Sequence, residues 1–297
     1  MSSQDGYATP KAFRRALTDR LKTLAVTSRW ELPQLQRQIA YDRFLARLYR
    51  VDQGWVVKGA TALLARELGV RGTIDIDIFR DTELAVAEQE LRKAAIVDIG
   101  DWFDFELGPG QSVSDGASGT RVPVTALIGP TAWTAFRVDL VGTDLTMTGD
   151  PDDVSPLACI GMPDVVQVNY RAYPLVDHVA DKVVATFDRY GTLRSPSTRF
   201  KDLVDLVAIS TGASVEASAQ MDALFSEARR RKVELPAKFE VPDREVWKKG
   251  YEAEAARSLL EGAKTLEEAH LIVGSFLDPL LDGSAKGKWD PGTAGWD

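Results

Sequence analysis

The stretch Thr73-Ile74-Asp75-Ile76-Asp77-Ile78 constrains the fold more than any other part of the chain. Strict alternation of apolar and polar residues describes a strand with one face in a core, because successive side chains point to opposite faces. The three isoleucines then share one face, and Thr73, Asp75 and Asp77 share the other. The two carboxylates would stand side by side, with Cα atoms about 6–7 Å apart given the strand rise. At that spacing they repel each other unless a cation lies against them.

The neighbouring sequence supplies the rest of an α/β arrangement. Trp55 to Lys58 reads as a strand, Ala60 to Leu68 as a helix and Thr73 to Phe79 as the acidic strand. Glu83 to Ala95 has helical spacing; Trp102 to Leu107, Arg121 to Ile128 and Ala135 to Leu140 read as strands between Gly- and Pro-containing turns. The expected core is a mixed sheet with flanking helices. Ahead of it, residues 10–24 and 31–50 form two amphipathic helices, with Phe13, Leu17 and Leu21 on one stripe. Beyond a Gly-, Pro- and Asp-rich stretch come helical patterns over Leu175 to Tyr190, Thr198 to Ser210, Val215 to Arg231, Tyr251 to Glu261 and Leu266 to Leu281. The expected organisation is basic N-terminal helices at 1–50, an α/β core at 51–150, a helical lobe at 151–282 and a flexible Gly-rich tail at 283–297.

Charge narrows the function. The 297 residues carry a net −8, which argues against a general nucleic-acid binder. Residues 9–50, however, hold ten Lys or Arg against three acids, a net +7. That island, including Arg14, Arg15 and Arg20, is a candidate surface for a phosphate backbone, as is Arg229-Arg230-Arg231-Lys232. Pairing with the acidic remainder of the chain explains both clusters equally well. The single Cys159 has no internal disulfide partner, the N-terminus lacks an apolar run, and no stretch reaches the roughly 20 apolar residues that cross a bilayer. The expectation is a cytoplasmic protein with no membrane association.

Asp75 and Asp77 present hard oxygen ligands suited to Mg²⁺ or Mn²⁺, whereas only His178 and His270 are available for a zinc site. A lone Asp-x-Asp equally describes an ordinary acidic strand face. Asp139, in Phe136-Arg137-Val138-Asp139-Leu140, adds a third carboxylate on another strand, which suits a two-metal site. Its alternative is an ion pair with Arg137 or Arg121. Upstream, Lys58-Gly59-Ala60-Thr61 joins a strand to a helix, where backbone N–H groups, the Thr61 hydroxyl and the Lys58 ammonium would receive a phosphate.

The run KGATAL, LARELGV, RGTIDID resembles the AbiEii-type nucleotidyltransferase toxins, including the MenT-like members, within the polymerase-beta-like nucleotidyltransferase superfamily. Members read K-G-G-[TS]-A-L, then about a dozen residues, then R-x-[ST]-x-D-[IL]-D; here Ala60 stands at the second Gly. The resemblance continues through Asp177, Asp181, Lys182 and Arg189 to Arg199-Phe200-Lys201-Asp202-Leu203-Val204-Asp205-Leu206, covering about residues 50–210.

The resemblance implies a polymerase-beta-like core plus a C-terminal helical lobe. It also implies transfer of a nucleoside monophosphate from an NTP, CTP or GTP first, to the 3′ end of tRNA, and neutralisation by a cognate antitoxin. Catalytic roles would fall to Asp75, Asp77, Asp139, Lys182 and Asp202, with Asp75, Asp77 and Asp139 holding Mg²⁺ or Mn²⁺. Lys58, Gly59, Thr61, Arg71 and Arg189 would hold the triphosphate, and Thr73 is a candidate phosphorylation site. On residues alone, Lys182 also fits a solvated helix face, and Asp202 and Asp205, one turn apart, either orient it, bind the nucleotide ribose or are surface acids; the motif favours Asp202, at its first Asp. A small-molecule or protein hydroxyl as acceptor, an inactive nucleotide-binding module and a phosphohydrolase stay open.

Overall fold

The computed structural model describes residues 6–114, 118–143, 145–158 and 160–297. Cys159 lies outside the described residues. Two compact units are present. The first comprises Met1–Arg66, Gly72–Leu145 and Asp153–Ala172. The second comprises Glu67–Arg71, Thr146–Asp152 and Tyr173–Asp297. The partition expected at residues 50 and 150 is therefore corrected. The N-terminal helices share the core of the sheet, and short segments of each half of the chain belong to the other unit.

In the first unit, α1 (Pro10–Thr27) and α2 (Leu32–Val51) lead into β1 (Trp55–Lys58), α3 (Gly59–Ala65), β2 (Asp75–Arg80) and α4 (Leu84–Ala95). There follow β3 (Phe103–Leu107), β4 (Gln111–Ser114), β5 (Ser118–Ile128), β6 (Thr131–Val141), β7 (Asp152–Val154) and β8 (Tyr170–Ala172). The sheet runs β3-β5-β6-β2-β1-β8-β7, with β4 paired to β5. Strand β2 lies parallel to β6 and antiparallel to β1. Helices α1, α2 and α4 pack on one face, where Ile76, Ile78, Val138, Leu140, Val122 and Val124 are buried with Phe13, Phe44 and Leu91. The intervening residues Asp75, Asp77, Arg137, Asp139 and Arg121 occupy the opposite face. The alternation predicted this, with one exception: Thr73 and Ile74 precede the strand, and Ile74 is exposed.

The basic N-terminal island is partly structural. Arg43 and Arg47 are buried and both reach Asp101, which Arg47 grips through two hydrogen bonds of 3.1 and 2.7 Å. Arg14 donates to the carbonyls of Thr131 and Ala132. Lys11, Arg15, Arg20 and Lys22 are left exposed on α1.

The second unit contains α5 (Leu175–Phe187), the hairpin β9 (Arg189–Tyr190) and β10 (Ser195–Pro196), then α6 (Phe200–Gly212), α7 (Ala217–Arg231), α8 (Arg244–Arg257) and α9 (Leu266–Leu281). A final hairpin joins β11 (Trp289–Asp290) to β12 (Gly295–Trp296). This hairpin corrects the expected flexible tail. Trp289 is buried, its indole N–H donating to the Ser210 carbonyl, and Trp296 stacks on Phe276 and donates to that residue's carbonyl. Two tryptophans anchor a segment whose average composition is polar. Helix α8 also begins at Arg244 rather than Tyr251, because Asp243 caps it by accepting from the Val246 N–H. No helix among the described residues is long and apolar enough to cross a membrane.

Candidate active site

Register brings the first group of predicted residues together. Asp77 pairs with Lys58 across the antiparallel β1–β2 ladder and with Asp139 across the parallel β2–β6 ladder. Directly opposed residues share a face, so Lys58, Asp77 and Asp139 form a row across three adjacent strands. One step along, Asp75 lies opposite Arg137, whose Nε donates to Asp75 Oδ1 at 2.8 Å. Asp139 lies opposite Arg121 on β5, which grips both its oxygens through Nε and Nη2 at 2.7 and 2.6 Å. These hydrogen bonds push the Arg121 pKa up, against a smaller opposing effect of burial. The ion pair anticipated for Asp139 as an alternative to metal ligation is thus present, with Arg121 as the partner. The Arg137–Asp75 pair was missed, although Arg137 stands two residues before Asp139 and so projects from the same face.

Glycine is required at the first position of the Gly59-Ala60 pair, not the second. Gly59 has φ +56°, and a Cβ there would collide with the Asp77 carboxylate. Ala60 is a buried residue within α3, so replacement of the second family glycine leaves the turn intact. Thr61 does not face a phosphate site: it is fully buried, and its hydroxyl donates to the Asp75 carbonyl at 3.3 Å. Thr73, half-buried, donates through its hydroxyl to the same carbonyl at 2.9 Å and accepts from the Asp75 N–H at 3.2 Å. Two threonines therefore fix the backbone from which the first carboxylate projects.

The second unit contains a different cluster. The Lys182 ammonium on α5 donates to Asp202 at 2.9 Å and to Asp205 at 2.7 Å, both on α6. Arg71 forks onto Asp205 at 2.9 and 2.8 Å, and Arg199 holds the other oxygen of Asp202. Burial would raise the Asp202 pKa, but the charges of Lys182 and Arg199, with their hydrogen bonds, outweigh it and hold the carboxyl far below its ordinary value. Burial opposes the charge on Lys182, and Asp202 and Asp205 overcome it, so its pKa is raised. Asp202 and Asp205 orient Lys182 jointly, where the motif had favoured Asp202. Arg199 went without an assigned role despite its i,i+3 spacing from Asp202.

The sequence matches the family described as nucleotidyl transferase AbiEii toxin, type IV toxin–antitoxin system, over residues 43–270. The chain belongs to this family. No curated protein matches it in sequence. Among solved structures, MenT4, a nucleotidyltransferase toxin from Mycobacterium tuberculosis, is similar at 14% identity and a TM-score of 0.51, covering 90% of this chain and 97% of that one. JHP933 from Helicobacter pylori is similar at 16% identity and a TM-score of 0.47, with 83% and 92% covered.

The family implies a divalent metal, and the donors fit it by type: three carboxylates on one face of two adjacent strands. Their arrangement is charge-neutralised, however. Arg137 and Arg121 hold Asp75 and Asp139, and among the described residues no group of three His, Cys, Asp or Glu converges closely enough to hold an ion. An ion would have to displace guanidinium groups, whose pairs are partly exposed and so exchangeable.

Other predicted residues are placed elsewhere. Arg189 is exposed on β9, where Nη1 donates to the Arg194 carbonyl at 3.4 Å. Asp177 is buried and accepts from the Thr148 and Gly149 N–H groups. Half of the second basic cluster turns inward: Arg230 and Arg231 both pair with the buried Glu227, while Arg229 and Lys232 are exposed.

Proposed function

We propose that this AbiEii-family nucleotidyltransferase transfers a nucleoside monophosphate from an NTP to the 3′-terminal hydroxyl of tRNA, blocking aminoacylation and translation. The observation that carries the reading is the Lys58–Asp77–Asp139 row, which sets one cation and two carboxylates across three strands of one face. In the reaction the acceptor oxygen bonds to the α-phosphorus, the bond from that phosphorus to the bridging oxygen breaks, and pyrophosphate leaves. Asp139 takes the proton of the attacking hydroxyl. Lys58 neutralises charge that develops on the departing pyrophosphate. Asp75, Asp77 and Asp139 would hold Mg²⁺ or Mn²⁺ once Arg121 and Arg137 give way, and the bound metal would supply charge stabilisation and a more acidic acceptor hydroxyl.

Lys182, held by Asp202 and Asp205, is the catalytic group that the family resemblance implies for the second unit. The basic face of α1, with Lys11, Arg15 and Arg20, takes the tRNA backbone. A cognate antitoxin silences the enzyme, and phosphorylation of Thr73 is one route. A phosphate there removes the hydroxyl donor to the Asp75 carbonyl and adds about −1.5 to −2 charge beside that carboxylate. An unmodified Thr73 in protein silenced by the antitoxin would exclude that route.

The decisive experiment incubates the protein with total tRNA, Mg²⁺ and each labelled triphosphate in turn, CTP and GTP first, beside an Asp77→Ala control. Label entering tRNA with the wild type alone is expected. Transfer to no RNA with any triphosphate would discard the reading.

A further inference from the structure

The face that carries the carboxylates continues beyond them into a cavity of about 660 Å³ in the first unit, lined by Ile74, Glu106, Leu107, Pro123, Thr125, Ala135 and Arg137 among others. Register explains its shape. Ala135 on β6 lies opposite Thr125 on β5, and Thr125 lies opposite Glu106 on β3; Arg137 lies opposite Pro123. The floor is therefore made of the short or flat side chains of Ala135, Thr125 and Pro123, with Glu106 at the β3 edge and Arg137 at the carboxylate end. It starts at Arg137, which is bonded to Asp75, and Ala135 lies about 13 Å along β6 from Asp139 by the strand rise. From β6 to β3 it spans two strand gaps, about 10 Å. Those dimensions suit a single nucleoside.

We infer that this shelf seats the terminal nucleoside of the acceptor RNA and not the base of the incoming triphosphate; the inference rests on the nucleotidyl-transfer reading above. Displacement at phosphorus is in line, so the attacking oxygen and the leaving pyrophosphate stand on opposite sides of the phosphorus. Strand order places β1, with Lys58, on one side of β2 and places β6, β5 and β3 on the other. Lys58 marks the leaving-group side, which makes the shelf side the direction of attack.

Charge excludes a phosphate chain from the shelf, and strand order separates the acceptor base from the donor base. The shelf holds one arginine, one glutamate and one threonine, with an otherwise apolar floor. A triphosphate would require several cations there, and Glu106 would repel it. A base needs a flat apolar surface with a few polar groups at its edge. Pro123, Ala135 and Ile74 provide the surface, Thr125 and Glu106 meet the base edge, and Arg137 meets the last phosphodiester.

Two measurements test this. Ala135 is exposed, so Ala135→Trp fills the shelf without crowding the core. With total tRNA as acceptor, the variant is expected to raise the tRNA KM at least about tenfold while the NTP KM stays within about twofold, because the lost base contact is worth that much. A rise confined to the NTP KM would assign the shelf to the donor base and overturn the inference, as would no change in either. Separately, a single-stranded RNA oligonucleotide ending in 4-thiouridine, irradiated on the wild-type protein, is expected to crosslink within β3, β5 or the first half of β6. Crosslinks found only elsewhere would reject the shelf. If the wild type transfers nothing to RNA, the transfer reading fails, and the crosslink map still decides whether this cavity holds an RNA end.

Discussion

The charge cluster on the sheet face and the one between α5 and α6 differ in burial, and burial determines what each can do. Around Asp75 and Asp139, the side chains of Arg137 and Arg121 are 40% and 34% exposed. In the α5–α6 cluster, Lys182, Asp202 and Asp205 are 7%, 7% and 1% exposed. Exposed ion pairs contribute little to stability because water and salt compete with them, so they exchange partners readily. Buried charges are locked, since removing one leaves the others short of a counter-charge where water does not reach. The sheet face can thus trade arginine for substrate or cation, while the helical cluster holds a fixed geometry.

The largest effect expected is at Lys182. Lys182→Met leaves Asp202 with Arg199 alone and Asp205 with Arg71 alone, removes the charge between the two carboxylates, and should cost about 3–5 kcal/mol in denaturant unfolding. A loss below about 1 kcal/mol would mean that the cluster is as exchangeable as the sheet pairs and would break the contrast. Acid should act on the same cluster. Because the Asp202 carboxyl is held far below its ordinary value, its contribution is complete above about pH 4 and is lost as pH falls further through the folded-state value. Asp202→Asn should flatten the fall in stability on acidification; an unchanged slope would remove Asp202 as its source.

On the sheet face the effects belong to activity. Asp77→Asn should lower transfer by roughly 10²–10³-fold, read as initial rates with labelled NTP. Gly59→Ala should cost about 1–3 kcal/mol, because it forces a Cβ into positive φ and against Asp77, and it should reduce activity through that carboxylate. Arg121→Gln is the mildest and most discriminating variant. Freed of its competitor, Asp139 should bind Mn²⁺ about two- to fivefold more tightly by paramagnetic resonance, the equivalent of about 1 kcal/mol or less. Weaker binding would mean that Arg121 helps to form the site.

Much of the site was legible from local spacing. The alternation in 73–78 set the two carboxylates on one face, and the helical spacing of Asp202 and Asp205 joined them around Lys182. The roles expected of Thr61 and Arg71 were less accessible, because a hydroxyl or guanidinium finds its partner through packing. Thr61 turned inward to a backbone carbonyl, and Arg71 found an acid 134 positions away. The hairpin at the C-terminus escaped a reading by composition because two indole contacts outweigh six polar side chains and four glycines.

The sequence by itself determined the acidic strand, the order of the sheet-forming and helix-forming segments and the family, since each depends on patterns within a few residues or on motif order. Only the tertiary structure decided strand register. It made Arg137 the partner of Asp75 and Arg121 the partner of Asp139, and it extended one face into a shelf. The physical reason is that a strand's periodicity specifies which side chains share a face, whereas their neighbours across the ladder are chosen by hydrogen bonding between segments distant in the chain.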